Sequence, residues 1–242
     1  AKGEGRALKV AVPVTPRIAN FDDFDALAAE PSVELVFVRP GERIPADAGL
    51  IVLAGSKATI SDMLALRGEG WDAEIAAHAR RGGRVIGICG GYQMLGRVIR
   101  DPHGIEGDRR EVEGLGLLDV ETVMEPEKRL ANATARSLAY DAALAGYEIH
   151  LGRTTGPDHQ RPYVEIEGRA DGAMSPDGRI AGTYLHRLFD SEAFRAGLLA
   201  SFGLAGGAGD YRLSVDRALD GIAAELEAHL DRAWLDALLA PS

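Results

Sequence analysis

The stretch Arg84-Val-Ile-Gly-Ile-Cys-Gly-Gly-Tyr-Gln-Met-Leu-Gly96 places Cys89, the only cysteine of the chain, between two different sequence patterns. Arg84 to Ile88 is an apolar run stopped by glycines, which predicts a short buried strand. Tyr92 to Val98 has apolar residues at helical spacing and predicts the start of a helix. A strand, a nucleophile between small residues and a helix form the nucleophile-elbow pattern, here G-x-C-x-G.

The glycines around Cys89 have a physical role in this turn. A side chain at position 87 or 91 would collide across so tight a bend, and the bend holds its central residue in strained backbone geometry. We expect the sulfur to be exposed at the first turn of the helix, where free amides and the helix dipole favour the thiolate. A lone cysteine is more often a small buried hydrophobic residue. The glycines at 87, 90 and 91, with Gln93 one turn further on, instead predict that Cys89 is the nucleophile.

Composition limits the class of protein. A chain of 242 residues with 46% hydrophobic residues can bury the core of one α/β domain or of two small ones. A single cysteine excludes an internal disulfide framework and favours a reducing compartment, so we expect a cytoplasmic protein. The net charge of −10 argues against nucleic acid or an anionic membrane as a partner. No apolar run approaches the roughly 20 residues of a membrane span, and no signal peptide precedes the first strand.

Strand and helix patterns alternate through the first half of the chain. The predicted strands are 8–14, 33–38, 48–53 and 84–88. One helix is predicted to start with Asn20 as its N-cap, and two more are predicted over 61–67 and 71–80. This alternation predicts an α/β fold with a doubly wound, mostly parallel sheet flanked by helices. Sites in such sheets lie beyond the carboxyl ends of the strands, so the loop at Ala54 and the Cys89 elbow should share one crevice. We expect residues 1–7 to be a linker or frayed terminus and residues 8–242 to form one domain.

From Gly114 onward the pattern changes to strands with loops between them. The predicted strands are 115–123, 146–154, 163–166 and 180–186, which we interpret as antiparallel additions, followed by a helix over 191–202. The last segment has apolar residues three or four apart, which predicts a long amphipathic helix whose apolar stripe packs against the core. That stripe consists of Val215, Leu219, Ile222, Leu226, Leu230, Trp234 and Leu238.

A cysteine nucleophile needs a base and an oxyanion hole. His186 ends an apolar strand just before a helix, which is where a base would meet Cys89, and we predict that it is that base. The N–H of Gly90 and the N–H of Gly55 or Ser56 are the predicted donors of the oxyanion hole. The histidines in polar helices and loops are expected to face solvent: His78, His103, His159 and His229.

Several blocks of the sequence, taken in order, resemble the class I (triad) glutamine amidotransferases, and within them the glutaminase domain of cobyric acid synthase. These blocks are 20–25, 55–57, 87–96, 114–119, 146–154 and 182–186, and the resemblance covers about residues 8 to 236. It implies that Cys89 attacks the side-chain amide carbon of glutamine to form a glutamyl thioester. It also implies that His186 acts as base and then as acid toward departing ammonia, and that Gln93 helps hold the substrate glutamine.

The resemblance also implies a partner. Ammonia released here would serve the ATP-dependent amidation of corrin-precursor carboxylates in cobalamin biosynthesis. No phosphate loop G-x-x-x-x-G-K-[ST] occurs in the chain. We therefore expect no cofactor in this chain, with ATP and Mg²⁺ bound in a synthetase domain or subunit. The linker-like start and the absence of an initial Met favour the C-terminal part of a longer synthetase.

Three alternatives stay open on sequence alone. The chain could be the glutaminase subunit of another ATP-dependent ligase, such as one that amidates a peptidoglycan lipid precursor. It could be a cysteine hydrolase of the same fold that acts on peptides or small amides. It could also be a non-catalytic binding module that keeps the fold with an inactive site.

Three positions depart from the family pattern. Leu188 stands where many members have a glutamate, so the group that orients His186 is open, with Glu148 and Asp190 as candidates. Ala54 replaces a usual proline. Arg187 replaces a usual glycine, at a cost of about 1 kcal/mol or more if φ is positive there.

The strand predicted over 146–154 carries three ionisable groups, Glu148, His150 and Arg153. The resemblance suggests that they face the site or the synthetase partner. A structural salt-bridge cluster is the alternative. None of the three is predicted to be catalytic.

Overall fold

The computed structural model describes residues 7–230 and residue 234. Within these residues the strands are β1 (Leu8–Pro13), β2 (Ile18–Ala19), β3 (Val33–Val38), β4 (Leu50–Leu53), β5 (Gly55–Ser56), β6 (Arg84–Ile88), β7 (Val98–Arg100), β8 (Glu111–Glu113), β9 (Glu121–Ser137), β10 (Ala142–Thr155), β11 (Val164–Ile166), β12 (Arg169–Asp171), β13 (Ala173–Met174), β14 (Ile180–Thr183) and β15 (Leu185–His186). The α-helices are α1 (Asp25–Ala28), α2 (Thr59–Gly68), α3 (Trp71–Arg80), α4 (Gly90–Leu95), α5 (Glu192–Ala200) and α6 (Tyr211–His229). Single 3₁₀ turns cover Phe21–Phe24, Pro157–Gln160 and Leu188–Asp190.

The main sheet has six strands in the order β13-β14-β6-β4-β1-β3, all parallel except β13. All four residues of β4 are buried, as expected for a parallel strand that is covered on both faces. Alternate residues of the strands enter two apolar clusters: Val52 belongs to one, and Ile51 and Leu53 belong to the other. The predicted α/β class with a mostly parallel sheet is confirmed.

The order of these strands brings the distant parts of the site together. β4 and β14 flank β6, with Leu53 opposite Gly87 and Thr183 opposite Ile88. All three strands run in the same direction, so their carboxyl ends meet at one edge of the sheet. The loop after β4, the Cys89 elbow after β6 and the segment leading to His186 after β14 therefore converge there.

A second sheet covers this edge. It has the order β12-β11-β9-β10-β15, with β7 and β8 attached to β9. The long antiparallel hairpin of β9 and β10 dominates it, and its register shifts at a bulge between Leu151 and Arg153. β15 pairs with β10 so that His186 lies opposite Tyr147. The predicted antiparallel additions are confirmed, and they form a sheet of their own.

Several predicted elements have different bounds in the structure, and two of them show how packing sets the bounds. Helix α4 ends at Leu95 rather than continuing to Val98, which begins β7. Gly96 ends the helix in an extended conformation, and a Cβ there would lie 2.8 Å from the carbonyl oxygen of Val120. Residues 115–120 form a loop, and the strand predicted from position 115 begins at Glu121. In both places close packing of another segment decides the conformation, which local patterns do not encode.

The tail helix is present as α6, but its predicted packing against the core is wrong. None of the 19 residues of α6 is buried, and Leu219 and Ile222 are each 57% exposed. Leu230 and Trp234 are exposed as well, and Leu238 lies outside the described residues. The periodicity identified an amphipathic helix correctly. It does not say which surface covers the apolar stripe.

Two of the histidines predicted to face solvent do not. His78 is buried, with Nε2 3.0 Å from the carbonyl oxygen of Arg84, and its burial lowers its pKa. His159 is partly buried beside the hydroxyl of Tyr92, at 2.9 Å, and burial lowers its pKa also. His103 and His229 are exposed, as predicted. In the described part of the chain, no helix has both the length and the apolar character needed to cross a bilayer.

Candidate active site

Cys89 occupies the strained turn that the glycine pattern predicts. Its backbone has φ 53° and ψ −111°, a region that costs a non-glycine residue about 1–3 kcal/mol. A Cβ on Gly91 would lie 2.0 Å from the carbonyl oxygen of Leu53, and one on Gly87 would lie 2.6 Å from the backbone of Gly91. The predicted collisions at positions 87 and 91 are therefore confirmed.

This backbone geometry predicts an unusual order of stability among variants. At φ 53° a Cβ is strained, whereas glycine is not, so we expect Cys89→Gly to unfold at higher denaturant concentration than Cys89→Ala. After allowance for the entropy of glycine, the difference in free energy of unfolding should be roughly 1 kcal/mol. Urea unfolding followed by circular dichroism measures it. A Cys89→Gly variant that is the less stable of the two would contradict the strained geometry.

The thiol is less open than the sequence suggested. Cys89 is 7% exposed, and its Sγ–H donates to the carbonyl oxygen of Ile149 on β10 at 3.3 Å. The predicted exposed sulfur is wrong in this respect, because the β9–β10 hairpin covers the elbow. The sulfur instead lines a cavity of about 280 Å³ between that hairpin and the carboxyl edge of the main sheet.

His186 ends β15 and is fully buried, and Asp23 holds its imidazole in place. The Nδ1–H of His186 donates to Oδ2 of Asp23 at 2.7 Å, and both side chains are buried. The ring of Tyr147 stacks on the imidazole at a centroid distance of 4.9 Å. Nε2 is buried and makes no hydrogen bond with any described residue. Because Nδ1 is occupied by Asp23, Nε2 is the atom left to exchange a proton with a neighbour.

The raised pKa of His186 identifies Cys89 as the group that can exchange a proton with Nε2. Burial lowers the pKa of His186, but the hydrogen bond with Asp23 and the nearness of the Asp23 carboxylate and the Cys89 sulfur outweigh burial and raise the pKa to about 10. The imidazolium form is thus favoured between a carboxylate on one side and the sulfur on the other. The structure brings the cysteine and histidine together as predicted.

The orienting group is Asp23, which the sequence candidates missed. Glu148 pairs with Arg129 and Arg169, and Asp190 lies 3.5 Å from Arg212, so neither contacts His186. Asp23 lies in the 3₁₀ turn that follows β2. The signal for it is the acidic block 20–25, which the resemblance includes as a family block but in which no catalytic residue was predicted.

Asn20, the other polar residue of this block, does not cap a helix as predicted. It adopts the left-handed conformation without a side-chain cap. Its Nδ2 instead donates to the hydroxyl of Tyr147 at 2.6 Å. The ring that stacks on His186 is therefore fixed from the cavity side.

The predicted oxyanion-hole donors lie next to each other. The hydrogen-bond pattern between β5 and β2 decides between the N–H of Gly55 and the N–H of Ser56. β5 pairs with β2, and the N–H of Lys57 donates to the carbonyl oxygen of Arg17 at 3.0 Å. Hydrogen bonds alternate along an antiparallel pair, so the N–H of Ser56 points away from β2. The nitrogen of Ser56 would lie 2.9 Å from a Cβ at Gly90. Ser56 rather than Gly55 is the better partner for the N–H of Gly90.

Gln93 is buried rather than solvent-facing, and it borders the cavity. Its Oε1 accepts from the Thr59 hydroxyl at 2.9 Å. Its Nε2 donates to the carbonyl oxygen of Leu151 at 2.9 Å and to the Tyr184 hydroxyl at 3.2 Å. These bonds tie α4 to α2 and β10, so Gln93 shapes the cavity wall through its neighbours.

Charged groups of both signs line the cavity together with Cys89. Lys57 and Lys128 are exposed lining residues, and the lining residue Glu106 accepts from the N–H of Ile60 at 2.8 Å. A cavity lined by a thiol, a carboxylate and ammonium groups is complementary to an amino acid with a reactive side chain.

Two departures from the family pattern can be assessed structurally. Arg187 has φ 64°, so the expected cost of about 1 kcal/mol or more for a side chain applies there. Oδ1 of Asp23 accepts the N–H of Arg187 at 2.7 Å, which holds the strained residue in place. Ala54 is buried directly before β5. Asp23 thus fixes both the base and the backbone after it.

Glu148 and His150 of β10 belong to a salt-bridge cluster around Glu148, and His150 also lines the cavity. Burial raises the pKa of Glu148, but hydrogen bonds from His150, Arg169 and Arg129 outweigh burial and lower it to about 2. Arg153 pairs separately with Glu125 at 3.3 Å. Among residues 7–230 and 234, no group of three or more His, Cys, Asp or Glu side chains is arranged to hold a metal ion.

Comparison with known proteins bears on the same residues. The family model described as the CobB/CobQ-like glutamine amidotransferase domain matches residues 9–194. The chain is 66% identical over 238 residues to a cobyric acid synthase of a Sinorhizobium species, and this match covers 98% of the chain and 49% of that protein. It is 68% identical over 238 residues to the cobyric acid synthase of Rhizobium rhizogenes, again with 98% of the chain and 49% of that protein covered. The chain thus spans about half the length of the curated relatives it matches.

Solved structures share the fold. PurLQS from Thermotoga maritima superposes with a TM-score of 0.62 at 19% identity, over 81% of this chain and 99% of that one. A glutamine amidotransferase from Thermotoga maritima superposes with a TM-score of 0.51 at 13% identity, over 82% of this chain and 83% of that one. At these identities the likeness extends to the fold alone.

Proposed function

Because the chain belongs to the CobB/CobQ-like glutamine amidotransferase family, we propose that Cys89, His186 and Asp23 hydrolyse glutamine and that the ammonia serves cobyric acid synthesis. The chain is a glutamine amidotransferase domain. The observation that supports the assignment of residues is the geometry around the cavity-lining Cys89. A thiol on a strained elbow interacts with an imidazole whose other nitrogen is held by a buried carboxylate.

The first step uses the charge separation at Cys89. The thiolate attacks the side-chain amide carbon of glutamine, and the electron pair of the carbonyl moves onto its oxygen. The N–H groups of Ser56 and Gly90 hold this oxyanion. His186, protonated at Nε2, gives its proton to the amide nitrogen as the C–N bond breaks. Ammonia leaves, and a glutamyl thioester remains on the sulfur.

The second step regenerates the thiolate. His186, now neutral at Nε2, takes a proton from water while that water attacks the thioester carbon. The same two amides stabilise the second oxyanion. Collapse expels the Cys89 thiolate, the first proton stays on His186, and the product carboxyl gives the second proton to solvent as glutamate departs. Asp23 keeps Nδ1 protonated throughout, so Nε2 is the atom that accepts and donates the proton.

The charged residues that line the cavity are suited to the head group of the substrate. The carboxylate of Glu106 would receive the α-ammonium of glutamine, and Lys57 and Lys128 would lie near its α-carboxylate. The head group would then be held away from the sulfur, with the side-chain amide directed toward it.

Removing the charge of Glu106 should weaken substrate binding more than chemistry. Glu106→Gln keeps an oxygen for the N–H of Ile60 but loses the ionic contact with the ammonium. We expect KM for glutamine to rise about tenfold with kcat nearly unchanged, since the contact is equally present in ground and transition states. Glu113→Gln, an equal charge change on exposed β8, is the matched control. A fall in kcat with constant KM would contradict a binding role for Glu106.

The synthetase function rests on the relatives. Identities of 66% and 68% to cobyric acid synthases over nearly the whole chain favour ATP-dependent amidation of corrin-precursor carboxylates over service to another ligase. The synthetase domain or subunit that binds ATP and Mg²⁺ would receive the ammonia.

The test of this function combines two assays on the complete synthase. Glutamate release from glutamine, with no release of amines from peptides, would support the glutaminase over a peptide hydrolase. A glutamine-mimicking electrophile should label Cys89, and free glutamine should protect it, which a non-catalytic module would not show. Amidation of a corrin-precursor carboxylate that requires ATP and glutamine would support the synthetase assignment, and its absence alongside normal glutamate release would reject that assignment alone.

A further inference from the structure

Helix α6 exposes an apolar face that the described residues leave uncovered. Val215, Leu219, Ile222 and Leu226 follow one another at spacings of four, three and four, and they are 36, 57, 57 and 52% exposed. At 100° per residue these four side chains fall within about 60° of arc. A contiguous apolar face of this kind on a polar helix is typical of a surface that packs against another element.

The helix meets the rest of the chain at its first turn. Asp210 caps it by accepting the N–H of Leu213 at 3.1 Å. The guanidinium of Arg212 lies 3.5 Å from the Asp190 carboxylate and 3.3 Å from the carbonyl oxygen of Ala145. Beyond this turn every described residue of α6 is exposed. The helix therefore extends outward from the segment that follows His186, about 28 Å long from end to end.

The charges beside the apolar face indicate which kind of surface would pack against it. Asp216 and Glu227 lie beside the face on one side and Glu225 lies beside it on the other, whereas Asp220 and Arg217 lie toward the opposite side of the helix. Arg212, beside the face at the first turn, is already paired with Asp190. Two copies of α6 packed face to face would bring acidic borders against acidic borders, which disfavours pairing with a second copy. The charge pattern instead fits an apolar groove with lysine and arginine at its edges.

We propose that the apolar face of α6 is the docking surface for the synthetase polypeptide, which seats it in an apolar groove with basic edges. This inference rests on the proposed function, since that function requires a synthetase. The chain spans 49% of the length of the matching cobyric acid synthases, so those relatives contain a comparable length of polypeptide outside the matched region. Docking at α6 would hold the ammonia-producing cavity and the amidation site in one assembly.

The test places Leu219→Glu together with Ile222→Glu in the complete synthase. Both residues lie on solvent-exposed helix surface, so the variant should fold, and hydrogen exchange checks this. Two reactions are followed: glutamate release from glutamine, and ATP-dependent amidation with either glutamine or ammonium chloride as nitrogen source. We expect glutamine-supported amidation to fall at least tenfold, while glutamate release and ammonium-supported amidation stay within about twofold. The matched control Arg217→Glu, on the opposite side of the helix, should leave all three rates within twofold.

Hydrogen exchange gives a second readout. The amides of α6 should exchange more slowly in the complete wild-type synthase than in the chain of 242 residues alone, and the double variant should remove this protection. Unchanged glutamine-supported amidation in the double variant, or no protection of α6 in the complete synthase, would overturn the inference. So would a dimer of the isolated chain that the double variant dissociates, because the occupant would then be a second copy. Absence of glutamate release from the wild-type synthase would instead reject the proposed function itself.

Discussion

Cys89→Ala is expected to abolish glutamine hydrolysis, with kcat for glutamate release lowered by a factor on the order of 10⁴ or more. The reason is that no other described group on the cavity wall combines a nucleophilic atom with contact to His186. Glutamate release measured by a coupled dehydrogenase assay gives the rate, and under the proposed function the ammonium-supported amidation of the complete synthase should persist. That persistence would show that the loss concerns the glutaminase reaction alone.

Covalent labelling gives a second test of the same prediction. Because the chain has one cysteine, a glutamine-mimicking electrophile should add one mass increment to the wild type and none to Cys89→Ala. Folding of the variant is checked by its circular dichroism spectrum and its Tm. Residual glutamate release above about 1% of wild type, in a preparation free of contaminating glutaminase, would exclude Cys89 as the nucleophile.

Asp23→Asn should lower kcat by roughly 10²–10⁴ while leaving the side-chain volume almost unchanged. An asparagine can still accept the N–H of Arg187, but its amide would donate to Nδ1 of His186 and so place the ring proton on Nε2. A neutral imidazole in that tautomer cannot take a proton at Nε2. The matched control is Asp22→Asn, which makes the same charge change on an exposed neighbour that does not contact His186.

The pH profile separates this role from a merely structural one. Asp23 and Cys89 raise the pKa of His186, so the imidazolium form persists above pH 6.5 and is lost as the pH rises through the raised pKa. Removing the charge of Asp23 lowers that pKa, so the alkaline limb of kcat/KM should move to lower pH in Asp23→Asn. If kcat falls but the limb stays where it is in the wild type, Asp23 acts through folding and not through His186.

Much of the site follows from local sequence, because the turn around Cys89 can be made by few residue types. The glycines at 87 and 91 are required by backbone atoms that would overlap any Cβ, and such a requirement is visible in the sequence as a motif. The strands around the elbow were predicted for a similar reason, since buried parallel strands are continuous apolar runs. The bounds of α3 and β6 agree with the prediction residue for residue.

The features that the sequence did not predict depend instead on contacts between distant segments. Asp23 and His186 are 163 positions apart, and nothing in either segment alone indicates their hydrogen bond. His78 is covered by the backbone of β6, and residues 115–120 are a loop because Gly96 and its neighbours pack beside them. In each instance a contact from a remote segment outweighs the local preference.

By itself, the sequence determined the α/β fold and indicated Cys89 and His186 as the proposed nucleophile and base, because strand patterns, an elbow motif and ordered family blocks are local features. Only the tertiary structure decided that Asp23 orients His186, that the N–H of Ser56 rather than that of Gly55 turns toward Gly90, and that the stripe of α6 stays outside the core. Those three outcomes depend on which surfaces meet after the chain has folded. Periodicity and composition describe one segment at a time, and the free energy of such contacts belongs to pairs of segments.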